Sequence, residues 1–465
     1  MVRIILAAAS TLALAACAVG PDYHRPVAPQ SAAGAFQTAS PAIVASATAN
    51  DRWWQLYRDP VLDGLITDAL TANTDIRVAT ARLARARASL REVRGDRQPQ
   101  ATAGASATYG RLSEIQRPPG LDRENWTIDT GLDVAYEADL FGRIGRNVEA
   151  ARGDVGAAQE DADTVRVAVV ADTTRAYADA AAAAERLAVA QRIVALIDRS
   201  LKVTEGRARV GLITGLDTAR IAALRNQRQA DIPAIVAERQ AALFRLATLT
   251  GRTPAELPTI AAARSETLRL TQPIPVGDGA ALLARRPDVR AAERRLAAAT
   301  ARIGVATADL YPRISLGGSI GSTGTGLGNI FGAGPLNWLL GPLISWNVNP
   351  AKARARIAGA EADSQAALAT FDGVVLTALG ETETALSNYA RALDRRTALQ
   401  AARDQAAIAA RITRAQQREG QIDSLAQLDA ERTFADTEAA LALSDAQIAQ
   451  AQIDVFRALG GNWTV

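Results

Sequence analysis

Trp126-Thr127-Ile128-Asp129-Thr130-Gly131-Leu132-Asp133-Val134-Ala135-Tyr136-Glu137 alternates with period two, one face mostly apolar and the other carrying Asp129, Asp133 and Glu137. Successive side chains of a strand point to opposite faces, so this pattern predicts an extended segment with one dry and one wet side. Just upstream, Ala101, Ala103, Ala105, Ala107 and Tyr109 alternate with Thr102, Gly104, Ser106 and Thr108. Far downstream, Ile314, Leu316, Gly318 and Ile320 alternate with Ser315, Gly317 and Ser319. Trp338, Leu340, Pro342, Ile344, Trp346 and Val348 form the apolar side of a fourth segment. Strands of roughly ten residues, apolar on one side and with aromatic anchors near their ends, are what a membrane barrel wall requires. Tyr109, Trp126, Tyr136, Trp338 and Trp346 are the candidate anchors. A half-buried soluble sheet shares the alternation. Four strands cannot enclose a lumen, and open edges are not tolerated in lipid, so the barrel reading implies oligomerisation.

Outward from these strands the period changes from two to the helical one. No proline occurs between Gly142 and Gly206 or after Pro350, so helices over about 142–206 and 351–419 run unbroken, each on the order of 100 Å long at about 1.5 Å per residue. Leu187, Ala190, Val194, Ile197, Leu201 and Thr204 follow a 3-4 spacing, as do Ile232, Ile235, Arg239, Ala242, Leu246 and Leu249, which predicts coiled-coil-like seams. Glycines at Gly211 to Gly215 and near Gly420 fold each long helix back on a shorter partner. The plan occurs twice. Asn73-Thr74-Asp75-Ile76-Arg77-Val78-Ala79 matches Arg286-Pro287-Asp288-Val289-Arg290-Ala291-Ala292, and one offset relates Asp75 to Asp288, Leu83 to Leu296 and Pro99 to Pro312. Leu249-Thr250-Gly251 likewise pairs with Leu459-Gly460-Gly461. Each half reads as a helix (about 60–97 and 279–310), two strands and a long helical hairpin, giving repeats over residues 53–260 and 261–465.

The 465 residues are 48% apolar but only 4% aromatic, with alanine throughout, which suits long helices packed at close distance. A formal charge of +3, with arginines alternating with acids along helical faces, speaks against a nucleic-acid partner. Met1 to Cys17 holds one basic residue, Arg3, then an apolar run, then the sole cysteine. Residues 1–16 therefore read as a signal peptide. Leu14-Ala15-Ala16-Cys17 resembles the bacterial lipobox, which implies acylation of Cys17, and Ala18 in place of aspartate resembles the pattern for transfer to the outer membrane. Residues 17–52, rich in Pro, Ala, Ser and Thr, read as a lipidated extended linker. No later stretch has the roughly 18 uninterrupted apolar residues of a transmembrane helix.

Taken together, the chain resembles the TolC-like outer-membrane factors, in the lipoprotein branch that serves tripartite efflux pumps of Gram-negative bacteria. The carriers are Cys17-Ala18-Val19-Gly20-Pro21-Asp22-Tyr23-His24-Arg25-Pro26, Trp53-Trp54-Gln55-Leu56-Tyr57-Arg58-Asp59-Pro60-Val61-Leu62 and Glu137-Ala138-Asp139-Leu140-Phe141-Gly142-Arg143. Arg285-Arg286-Pro287-Asp288-Val289-Arg290 and the terminal Ala458-Leu459-Gly460-Gly461-Asn462-Trp463 complete them. The resemblance implies an α+β membrane protein: a homotrimeric twelve-stranded β-barrel in outer-membrane lipid, continued by an α-helical periplasmic tunnel. It implies a periplasmic membrane-fusion adaptor and an inner-membrane efflux transporter as partners, and small molecules such as drugs as cargo. By motif match to Leu425-Ala426-Gln427-Leu428-Asp429-Ala430-Glu431-Arg432, it implies a periplasmic gate with Leu425 as an apolar ring and Asp429 and Arg432 as an ionic latch. Those three residues share one helical face. The tips Val210-Gly211-Leu212 and Glu419-Gly420-Gln421 resemble the adaptor contacts, although glycine suits any tight tip. Asn347-Val348-Asn349-Pro350-Ala351-Lys352 departs from the family's Asp-Gly-Gly-Arg-like turn, which unsettles that strand-to-helix transition.

No nucleophile, base or metal set for an enzyme stands out, since the sole cysteine is the lipid site and the sole histidine, His24, lies in the linker. No cofactor or metal is expected. Glu381 and Glu383 read as solvated helix faces, and Trp53 and Trp54 as packing at the start of the first helix. Two other readings share parts of the pattern: a type I protein-secretion duct, and a non-channel periplasmic coiled-coil scaffold.

Overall fold

A computed structural model describes residues 18–27, 30–38, 40–44, 51–116, 119–120, 122–325, 330 and 336–460. The signal peptide, Cys17 and the terminal Gly461-Asn462-Trp463 lie outside the described residues. In chain order the main elements are helices α1 (Pro60–Ala72) and α2 (Thr74–Gly95), strands β1 (Gln100–Arg111) and β2 (Glu124–Ala138), and helices α3 (Arg143–Arg209) and α4 (Gly215–Leu249). Then follow α5 (Gly279–Arg285), α6 (Pro287–Ala308), strands β3 (Arg313–Gly324) and β4 (Leu336–Ser345), α7 (Pro350–Arg418) and α8 (Ser424–Leu459). The chain divides into two compact units, each drawing on both repeats: residues 1–26, 82–159 and 291–372 form one, and 27–81, 160–290 and 373–465 the other.

The first unit holds an antiparallel sheet in the order β1-β2-β3-β4. Its helices pack at backbone distance: a Cβ on Gly153 of α3 would lie 2.8 Å from the Cβ of Ala298 of α6. The chain just after Cys17, expected as a lipidated extended linker, is docked here over residues 18–26. A Cβ on Gly20, at φ +93°, would meet the Gly304 Cα at 2.4 Å, so only a glycine pair permits the approach. Arg146 of α3 reaches the same segment, with Nη2 2.6 Å from an Asp22 carboxylate oxygen and within 3.4 Å of the Gly20 carbonyl. Tyr23 Oη donates to Glu293 of α6 at 3.3 Å, and burial with the neighbouring carboxylate pushes the phenol up to about 12.

In the second unit the apolar core gathers Trp53, Trp54, Leu62, Ile66, Tyr177, Leu246, Leu386 and Phe456. Trp53 stacks on Phe456 with ring centroids 4.7 Å apart and 8° between planes, so the tryptophan pair is packing, as its sequence position suggests. A two-residue parallel pairing of Ile43–Val44 with Ile274–Pro275 closes this region. Asp59 is its buried polar centre. One carboxylate oxygen caps α1 through Val61 N at 2.9 Å and Leu62 N at 3.2 Å. The other accepts from Tyr177 Oη at 3.0 Å and Arg264 Nη1 at 2.9 Å. Burial, with that carboxylate beside it, raises the Tyr177 phenol above its usual range.

The helices expected over about 60–97 and 279–310 are each two helices, broken at repeat-equivalent positions. At the first break Asn73 turns extended, its Oδ1 caps α2 through Asp75 N at 2.9 Å, and its Nδ2 donates to the Leu249 carbonyl at 3.0 Å. At the second, Arg286 ends α5 in extended backbone, as expected before Pro287, and its Nη1 donates to the Ala458 carbonyl at 3.0 Å. Thus a side chain at each break binds the end of that repeat's return helix. Glu381 and Glu383 are also more than solvated faces. Glu381 accepts from Arg286 Nη2 at 2.8 Å, and Glu383 accepts from Gln37 N at 2.6 Å and Thr38 Oγ1 at 3.1 Å.

Candidate functional site

Residues paired across a sheet share a face. The registers of Leu132 with Ala103 and Ile320, of Tyr136 with Leu316, and of Ile320 with Trp338 therefore join one apolar surface. Leu132, Val134, Tyr136, Leu316, Ile320, Trp338, Leu340 and Ile344 on it are all exposed, so within one chain this surface has no cover. Tyr109 and Trp126, with centroids 5.5 Å apart, mark one end, while Trp338, at the start of β4, pairs with Ile320 at the level of Leu132. At the helix-bearing end stand Tyr136, Trp346 just past β4, and Tyr311 stacked on Phe141 at 4.5 Å. From Trp126 to Tyr136 the strand rises roughly 33 Å at about 3.3 Å per residue. Tilted by about 40°, that becomes on the order of 25 Å, the height of the apolar band of a membrane barrel. The opposite face holds Asp129, Asp133 and Glu137, with Asp129 accepting from Thr323 Oγ1 at 2.8 Å and Glu137 held by Arg143 Nε at 2.9 Å. Two leucines of β4, Leu339 and Leu343, interrupt it. Leu343 fills the slot beside Gly317, where an added Cβ would meet its Cδ1 at 2.5 Å.

Two chemistries turn strand into helix. Asp139 caps α3 through Ile144 N at 2.9 Å and Gly145 N at 2.6 Å, with Gly142 at φ +77°. In the second repeat Asn349 Oδ1 accepts from Lys352 N at 3.0 Å and Pro350 takes the first helical position. The departure from the family turn thus still starts a 69-residue helix.

At the far ends of the long helices the turns are alike. Gly211 lies at φ +77° with Leu212 N donating to the Arg207 carbonyl at 3.0 Å, and Gly420 lies at φ +73° with Gln421 N donating to the Gln416 carbonyl at 2.9 Å. These are Schellman ends, which require the glycines whatever else the tips do. Val210 and Leu212 are nonetheless about 70% exposed, a large apolar display for a turn. Arg207 Nη2 donates to the Gln417 carbonyl at 2.8 Å and the Arg418 carbonyl at 3.2 Å, so one hairpin caps the other's helix.

Leu425, Asp429 and Arg432 lie exposed along one face of α8, whose N-cap is Asp423. Within the chain Asp429 and Arg432 do not pair. Asp429 has no cationic partner among the described residues, and Arg432 Nε stands 3.9 Å from Asp436. The opposite face of the same turns carries a set that sequence reasoning missed. Glu431, 3% exposed, accepts from Ser200 Oγ at 3.0 Å and Gln427 Nε2 at 3.2 Å, with Arg414 Nε at 3.5 Å. A buried Gln-x-x-x-Glu spacing opposite an exposed Leu-x-x-x-Asp was the available signal.

The sequence profile described as outer membrane efflux protein matches residues 65–252 and 280–461. The chain belongs to that family. Among curated outer membrane efflux proteins it is 31% identical to Outer membrane protein OprJ of Pseudomonas aeruginosa over 97% of this chain and 94% of the relative. It is 31% identical to the toluene efflux pump outer membrane protein TtgI of Pseudomonas putida, over 98% and 97%. Its fold superimposes on the outer-membrane channel OprN with a TM-score of 0.89 at 38% identity, covering 96% of this chain and all of that one. As an outer membrane efflux protein the chain is a transport channel of the Gram-negative outer membrane and not an enzyme. Among the described residues no helix is long and apolar enough to cross a membrane.

Proposed function

We propose that three copies of the chain close a twelve-stranded barrel, β4 of one protomer pairing with β1 of the next, above an α-helical periplasmic tunnel that conducts small molecules outward. The observation that carries this is the sheet itself: one uncovered apolar face, about 25 Å between aromatic ends, and two open edges at β1 and β4. Each unsatisfied edge group in lipid costs several kcal/mol, and pairing with identical copies removes every edge. Acylated Cys17 anchors the chain beside this barrel, in keeping with Ala18 lying against Gly142 at the strand-to-helix junction. The relative named for toluene efflux supports small apolar organic molecules as cargo. The exposed Leu425, Asp429 and Arg432 form the periplasmic gate, Asp429 of one copy meeting Arg432 of another. The apolar tip Val210-Gly211-Leu212 and the polar tip Glu419-Gly420-Gln421 receive the periplasmic adaptor, which joins the duct to an inner-membrane efflux transporter.

The full chain is expected to run as a heat-sensitive trimer that requires detergent, and its deletion to sensitise cells to small toxic organics. A detergent-free monomer, or loss of one secreted protein without drug sensitivity, would overturn the corresponding half of this reading.

A further inference from the structure

We propose that a cleft at the helix-bearing end of the sheet binds the phosphodiester of a phospholipid in the periplasmic leaflet. The cleft measures about 520 Å³, and the residues that matter are Asp309, Arg313, Lys352 and Arg356 beside the rings of Tyr311 and Trp346. Asp309 is shared: one oxygen accepts from Arg313 Nη2 at 3.0 Å, the other from Arg356 Nη1 at 2.8 Å. A single carboxylate cannot neutralise two guanidiniums, and Lys352 has no carboxylate partner among the described residues. The cleft is therefore net cationic. Arg313 and Arg356 remain about half exposed, so each keeps N–H donors free for a second acceptor. Guanidinium forks match phosphate oxygens in two-point contacts, and an ammonium adds a point charge.

Position selects the source of the phosphate. Trp346 continues the apolar register of Leu340, Pro342 and Ile344, and its Nε1 donates to the Leu310 carbonyl at 3.2 Å. Tyr311, stacked on Phe141, stands beside it. These rings end the apolar band, and Lys352 and Arg356 line the same cleft, at the level where headgroup phosphates flank the hydrocarbon, while Arg313, paired with Ser345, belongs to the sheet's other face. A free phosphate would use the cations alone. A phospholipid also lays its acyl chains along the exposed Ile344 and Leu340. The proposal rests on the barrel reading above, which places this face in lipid.

The test is native mass spectrometry of the full-length trimer titrated with phosphatidylglycerol. A basic residue at a membrane surface contributes about fivefold to anionic-lipid affinity, so Lys352→Glu is expected to weaken binding by roughly 5- to 25-fold. Asp309→Asn, which removes the one neutralising charge, is expected to strengthen it by about fivefold. A purely structural role would not move the two variants in opposite directions. Excess inorganic phosphate should leave the bound lipid in place, and its displacement of the lipid would assign the cleft to free phosphate and overturn the proposal. Unchanged lipid affinity in Lys352→Glu, or a shifted trimer melting temperature with unchanged lipid affinity, would also overturn it, the latter assigning the cleft to a subunit contact. A chain that neither trimerises nor conducts would instead fail the barrel reading; a conducting trimer that ignores Lys352→Glu fails this proposal alone.

Discussion

The gate assignment makes a quantitative prediction through the double substitution Asp429→Ala with Arg432→Ala. Both side chains are exposed, and the cation is already drawn toward Asp436 at 3.9 Å, with the Arg432 side chain 64% and Asp436 51% exposed. Exposed ion pairs contribute about 0.2–1 kcal/mol each. Threefold symmetry multiplies this to roughly 0.6–3 kcal/mol favouring the closed state. At about 1.4 kcal/mol per decade, removing the latch raises the open population by roughly 3- to 100-fold. Conductance of purified trimers in planar bilayers measures it, and the gain should shrink as salt rises from 0.1 M to 1 M, because the screening length falls from about 10 Å to about 3 Å. A second variant has the opposite sign. Asp436→Ala removes the competitor on Arg432's own helix, frees it for Asp429 of a neighbour and lowers conductance. Arg228 also contacts Asp436, so Arg228→Gln serves as its control. Unchanged conductance in the double variant, or Asp436→Ala opening the channel, would refute the assignment.

Asp59→Ala removes an N-cap and leaves Arg264 and Tyr177 without their carboxylate, so we expect it to destabilise the protein by about 3–5 kcal/mol, whereas Asp59→Asn, which keeps the cap, costs about 1–2 kcal/mol; equal unfolding rates in detergent would contradict this. Burial pushes the Glu185 carboxyl up, but Thr267 N at 2.8 Å together with Arg269 and Arg192 outweigh it and hold it below its ordinary 4.5. A lowered folded value means its stabilisation is present above pH 4.5 and fades as pH falls through the folded value, so Glu185→Gln should destabilise at neutral pH and converge with wild type in acid. A difference that persists in acid would count against it. Cys17→Ser should abolish incorporation of a fatty-acid probe, and retained labelling would exclude Cys17 as the acylated residue.

The strands and long helices were legible because their signals are periodic: Ala101 to Tyr109 and Trp126 to Glu137 announce a two-faced sheet, and proline-free stretches announce helices of about 100 Å. The break at Arg286 carried a signal in Pro287, which pushes the residue before it out of the helix, but the one at Asn73 did not, because the apolar pattern runs through it and only the Asn73 side-chain bonds to Asp75 and Leu249 mark it. The docking of Gly20 to Tyr23 escaped a composition-based reading, which sees proline and small residues as linker whether or not Gly304 and Arg146 wait to receive them. Exposure of Leu425, Asp429 and Arg432 follows from their spacing. The buried Glu431 behind them does not, since a charged residue in a helix is expected to face water until Ser200, Gln427 and Arg414 are brought to it.

Arg207 gives the two hairpin ends a common mechanics. Its guanidinium spans the last carbonyls of α7, so the tip of the first repeat is riveted to the tip of the second. Hydrogen bonds to a charged donor contribute about 1.5–3 kcal/mol when shielded and less at an open tip. A force applied to either turn is shared before it separates them. The paired tips of each protomer behave as one lever, so a partner that grips only one of them still moves both.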